Sequence, residues 1–221
     1  MGRRVLKKLT WASLLFAVLC LLVAAPAEAD SLLYDNGPVN GTFDALLIGA
    51  GGYQPLSDSF TVGGNSTLTV AQVGLWVPSG NTPTSVDWAI GTVAGGSDIA
   101  SGTSTFSNQT NEFSNGGFDI WRSSLDIGGS MAAGTYWFSL QNGTESGGVA
   151  LYWDMNNGPS TAFVNGQNVV DFCSQFGGTT CSESFQIYDS GPAPTPEPSS
   201  FLLLGTGLMA LAGVLRRCSH L

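Results

Sequence analysis

The sequence predicts an all-β domain, an antiparallel β-sandwich of jelly-roll type, and three observations predict it. Short runs alternate apolar and polar residues with a period of two, clusters of Gly, Asn and Ser separate those runs, and between Asp30 and Thr195 no window carries an apolar stripe at helical spacing.

In chain order, residues 57–62 alternate, and residues 67–77 form a longer β-branched run. Residues 85–93 put Val86, Trp88 and Ile90 on one face and Asp87 on the other. Further strands are expected at 102–107, 117–125, 135–141, 149–153, 161–164 and 184–189, about nine in all. The punctuation between them is of the right chemical kind. Gly63-Gly64-Asn65, Asn115-Gly116-Gly117, Asn142-Gly143 and Asn165-Gly166 supply residues that tolerate positive φ and so turn a chain tightly. Residues 45–50, Ala-Leu-Leu-Ile-Gly-Ala, suit either a short strand or a helical turn, and residues 165–180 read as a long loop.

The two ends differ from this domain in composition. Residues 1–29 have a basic start (Arg3, Arg4, Lys7, Lys8), an apolar run from Leu14 to Ala25 and the small-x-small triplet Ala27-Glu28-Ala29. This is the layout of a secretory signal peptide cleaved before Asp30. The ectodomain then spans residues 30–191, long enough for one domain with a sizeable core. Residues 192–200 are a Pro-rich linker containing Pro196-Glu197-Pro198. Residues 201–215 are apolar and uncharged, and with Ser199 and Ser200 they approach the ~17-residue lower limit for a membrane-spanning helix. Arg216 and Arg217 open a basic tail, 216–221, which orients that helix with Leu215 toward the cytoplasm.

Pro196-Glu197-Pro198, one short apolar helix and a terminal basic cluster, in that order, resemble the PEP-CTERM sorting signal of Gram-negative bacteria. The resemblance covers about residues 192–217 and implies a partner, exosortase, a membrane-embedded enzyme similar to cysteine transpeptidases. Such an enzyme cuts near Pro-Glu-Pro and releases or re-attaches the ectodomain. Prolines on both sides of Glu197 suit this, because they hold the segment extended and outside the helix. The resemblance implies an exported protein, held in the membrane by its C-terminal helix before processing and at the cell surface or outside the cell afterwards. PEP-CTERM proteins are associated with exopolysaccharide-producing bacteria, which makes exopolysaccharide a second implied partner and a biofilm or matrix role the implied setting. Tyr34-Asp35-Asn36-Gly37, Asp58-Ser59-Phe60-Thr61 and the Val-rich run ending near Trp76 also resemble sandwich ectodomains common on such proteins.

Charge narrows the function further. Six of the seven basic residues lie in the terminal segments, so the ectodomain keeps Arg122 against fourteen acidic residues, one cation against fourteen anions, a net charge of −13. That surface repels phosphate backbones and anionic lipids, so nucleic acid is excluded as a partner. Cys173 and Cys181, the ectodomain's pair, are expected to form a local disulfide worth ~2–3 kcal/mol by loop closure.

Catalysis is argued against by residue type. The ectodomain has no His and no Lys, so Ser-His-Asp and Cys-His arrangements are impossible there, and no catalytic residues are assigned. The enzymatic alternative is a secreted glycosidase acting through two carboxylates. The binding alternative is a carbohydrate- or calcium-binding module. Trp121, Trp137 and Tyr152 each fall, by strand parity, on the face opposite an apolar set, where a flat aromatic ring beside polar groups suits a sugar. Asp35, Asp154 and Asp189 are the candidates for Ca²⁺, although none has the spacing of a calcium loop and turn-forming carboxylates explain the same stretches. No other cofactor is expected.

Overall fold

The computed structural model describes residues 30–41, 45–52, 55–169 and 181–191. The signal peptide with Ala27 and Ala29, the linker with Pro196, Glu197 and Pro198, the apolar run 201–215 and Arg216 and Arg217 lie outside the described residues.

The described chain is all strand and turn. In order it runs β1 (Ser31–Asp35), β2 (Ala45–Leu47), β3 (Leu56–Val62), β4 (Ser66–Pro78), β5 (Pro83–Gly91), β6 (Ala100–Thr105), β7 (Ser107–Asn115), β8 (Phe118–Asp126), β9 (Ser130–Met131), β10 (Gly134–Glu145), β11 (Tyr152–Asn156), β12 (Phe163–Val164), β13 (Gln167–Asn168), β14 (Ser182–Glu183) and β15 (Phe185–Asp189). They form two antiparallel sheets. The six-stranded sheet has the order β13-β12-β3-β10-β5-β6. The nine-stranded sheet is built on β4, which pairs β8 and then β7 on one side. On the other side it pairs β15, with β1 outermost, and then β11, which also carries β2 and β14.

The alternation that predicted the strands also builds the core. Leu56, Phe60 and Val62 of β3, Val86, Trp88 and Ile90 of β5, and Tyr136, Phe138 and Leu140 of β10 are buried, while Thr61, Ser85 and Thr135 of the same strands are not. From the larger sheet come Ala71, Val73, Leu75 and Val77 of β4, Trp153 and Met155 of β11, and Phe185 and Ile187 of β15. The sheets meet through rings: Phe138 lies 5.6 Å from Trp153, edge to face, and 5.7 Å from Phe185.

Three local expectations change. Residues 45–47 are a strand rather than a helical turn, and they pair β11. Asn142-Gly143 is not a hairpin turn but a bulge inside β10. Asn142 has φ 52°, the register on β5 slips between Gln141 and Thr144, and Gly143 N donates to Ile48 O at 2.9 Å. A left-handed residue fits a bulge as well as a turn. Asn165-Gly166 is a true two-residue turn, with φ 49° and 75°, so the expected loop begins instead as the β12–β13 hairpin.

Candidate functional site

The most constrained chemistry in the described residues is a buried polar cluster that joins both ends of the ectodomain. Its centre is Asn36, fully buried just after β1. Asn36 Nδ2 donates to Asp58 Oδ2 at 3.1 Å, Ser182 Oγ at 2.7 Å and the Glu183 carbonyl at 2.7 Å. Its Oδ1 accepts from Ser160 Oγ at 2.7 Å and Tyr34 Oη at 3.1 Å. One side chain thereby ties β1, β3, β14 and the segment before β12.

Asp58 sits on the core-facing parity of β3, with Leu56 and Phe60, and is fully buried. Its carboxylate accepts from Glu183 N at 2.7 Å, Ser182 Oγ at 3.1 Å and Ser59 N at 2.6 Å. Burial still outweighs these bonds and holds its carboxyl above the ordinary range, with the serine and backbone donors opposing. Glu183 is a stronger case. Neither carboxylate oxygen has a hydrogen-bond partner among the described residues, and burial, reinforced by the charges of Asp58 and Asp154, pushes its carboxyl well up.

The cluster needs its glycines. Gly37 adopts φ 95°, and a Cβ there would lie 2.9 Å from Asn156 Nδ2. A Cβ on Gly158 would overlap the Asn36 carbonyl oxygen and reach 2.8 Å from Ser182 Oγ. Gly158→Ala is therefore expected to lower the thermal midpoint by several degrees, about 1–3 kcal/mol, in a melt followed by tryptophan fluorescence. An unchanged midpoint would mean that the segment relaxes freely.

The sequence-predicted ligand residues are dispersed. Trp121 keeps company with Ser123, as expected, but that face of β8 is the core-facing one. Trp121 lies opposite Leu75, packs on the core, and its indole N–H is buried with no partner among the described residues. Trp137 faces outward from the other sheet, half-buried between Ser59 and Gly91 in register. Tyr152 also faces outward, with its ring edge-on to Phe118 at 5.6 Å. They form no common platform.

The three carboxylates are equally separate. Asp35 Oδ1 accepts from Gly37 N at 2.9 Å, a local turn. Buried Asp154 accepts from Trp76 Nε1 at 2.6 Å and Asn40 N at 3.2 Å. Asp189 accepts from Ser31 Oγ at the β1–β15 edge. Among the described residues no three His, Cys, Asp or Glu side chains group as metal ligands. Cys181 is buried, and Cys173 lies outside the described residues.

Sequence reasoning missed the Asn36–Asp58 cluster. The available signal was Asp58 itself, a carboxylate on the apolar parity of β3.

No curated protein matches the chain. Residues 194–217 match the family model described as the PEP-CTERM protein-sorting motif. Glu197 and its flanking prolines, the apolar run and Arg216 and Arg217 all fall within that match. The ectodomain is an all-β domain, and the chain carries a PEP-CTERM sorting motif, the mark of an exported protein handled by exosortase.

Proposed function

We propose that this protein is a non-enzymatic component of the cell envelope or extracellular matrix, delivered by exosortase processing and acting structurally or through interaction in an exopolysaccharide-rich setting. The observation that carries the reading is the match at residues 194–217. Residues 1–29 act as the cleaved signal peptide, and residues 201–215 hold the chain in the membrane until the tail is cut. Cys173 and Cys181 close a local disulfide. The lack of any ectodomain His or Lys supports a non-catalytic role, as does the burial of Asp58 and Glu183, the two carboxyls whose shifts are upward.

Intact-mass spectrometry of protein from the envelope and the culture medium tests this, comparing wild type with Glu197→Ala. The expected wild-type species begins at Asp30 and ends near Pro196, and the variant lacks it. The same spectrum reads the bridge as the loss of the two thiol hydrogens. Retention of Leu221 in both strains would overturn the sorting role.

A further inference from the structure

We propose that the outer face of the nine-stranded sheet carries a groove for a neutral sugar unit, floored by Gln72, Gly74, Arg122, Ser184 and Gln186 and flanked by Phe113. The groove encloses about 330 Å³. That is the small end of the ~300–1,000 Å³ typical of ligand sites and suits one or two sugar rings.

Its shape follows from strand register. Gln186 of β15 lies directly opposite Gln72 of β4. Two residues along β4, Gly74 is opposite Arg122 of β8 and donates its N–H to the Ser184 carbonyl at 3.2 Å. The second row therefore reads Ser184, Gly74, Arg122, with no side chain at its centre. A Cβ on Gly74 would overlap Ser184 Oγ and come within 2.8 Å of Val39 Cγ2. The missing side chain lets Ser184, Val39 and Asp154 close in over Gly74, so the strand lies low there, and residues 37–39 and Phe113 line the groove around it.

The lining chemistry selects the ligand. Phe113 is 45% exposed and is the only aromatic among the large exposed apolar side chains of the described residues. A flat ring at a polar rim suits the C–H face of a pyranose. Two carboxamides offer both donors and acceptors to hydroxyls. Arg122 Nε donates to Glu112 Oε1 at 2.7 Å, which leaves the terminal guanidinium N–H groups to chelate a vicinal diol. Ser184 is 1% exposed and its hydroxyl is buried, so the polar groups the groove offers are the two carboxamides and Arg122. Charge argues for neutrality. Glu112 cancels the ectodomain's lone cation, and the net charge of −13 opposes a uronate or phosphate. A hydroxyl-rich, uncharged ligand matches the ring, the carboxamides and the guanidinium.

The test is titration calorimetry of the full chain, solubilised in detergent. The probes are neutral oligosaccharides of glucose, galactose and mannose, with oligogalacturonate as the charged comparator. The expected result is saturable binding of at least one neutral probe, weakened about tenfold or more by Phe113→Ala and by Gln72→Ala. Each variant's thermal midpoint serves as its folding control, and Gln186→Ala replaces any variant that melts early. Three outcomes overturn the proposal: no binding of any neutral probe up to about 10 mM, binding indifferent to all three variants, or preference for oligogalacturonate. None of these bears on sorting, which depends on residues 194–217 alone.

Discussion

Asn36→Ala is expected to lower the stability of the ectodomain by about 3–5 kcal/mol, read as a large drop in the urea midpoint at unchanged slope. The side chain is fully buried and makes five hydrogen bonds, four of them to buried groups. Its removal leaves the Asp58 carboxylate, Ser182, Ser160 and the Glu183 carbonyl each short of a partner, and buried groups left unsatisfied carry their full desolvation cost. Asn36→Asp should be no milder, because it keeps the shape but places a second carboxyl beside Asp58. A loss below about 1 kcal/mol in Asn36→Ala would show that the surrounding groups re-pair among themselves, and the cluster would not be the clasp described here.

The second large effect is a stability that falls as pH rises. Burial raises the carboxyls of Asp58 and Glu183 in the folded protein. The native state therefore holds protons that the unfolded chain releases near pH 4. The contribution is complete below that unfolded value and is lost as pH climbs through the folded one. Asp87, Asp98 and Asp119 act in the opposite sense, held low by Thr103, Thr92 and the Gly80 N–H respectively, and so lose their contribution below pH 4. They are solvent-exposed, and their effect is small. Thermal melts should show a higher midpoint near pH 5 than near pH 8. Glu183→Gln should flatten that slope and raise the midpoint at pH 8, because it removes the charge that the interior rejects. A midpoint that rises steadily from pH 5 to pH 8 would contradict the upward shift of the Glu183 carboxyl.

What the sequence made legible is what period two encodes. β3, β4, β5 and β10 announce their faces through Leu56, Phe60, Val73, Leu75, Val86, Trp88, Tyr136 and Phe138, and each of these is buried. β7 was invisible. Its residues Ser-Asn-Gln-Thr-Asn-Glu-Phe-Ser-Asn carry no apolar face because it is the outermost strand beyond β8, exposed along most of its length. Trp121 was misjudged because parity sorts residues into two faces without saying which one is covered. The cluster was hidden for a different reason. Asn36 meets Ser182 across 146 residues, and Asp58 meets Glu183 across 125, so only the closed sandwich brings them together. Gly74 offered a faint clue, a residue without a side chain in the middle of a β-branched run.

The β15 strand has a mechanical consequence. It lies between β1 and β4 and is antiparallel to both, while Ser182 and Glu183 just before it are locked to Asn36 and Asp58. A pull entering from Ser190 runs along the axis of β15. It loads the hydrogen bonds on both of that strand's edges together, in shear, rather than peeling them one at a time. At the far end of the same strand the polar clasp resists slippage. Tension applied at Ser190 therefore meets both edges of β15 and the clasp at its other end at the same time.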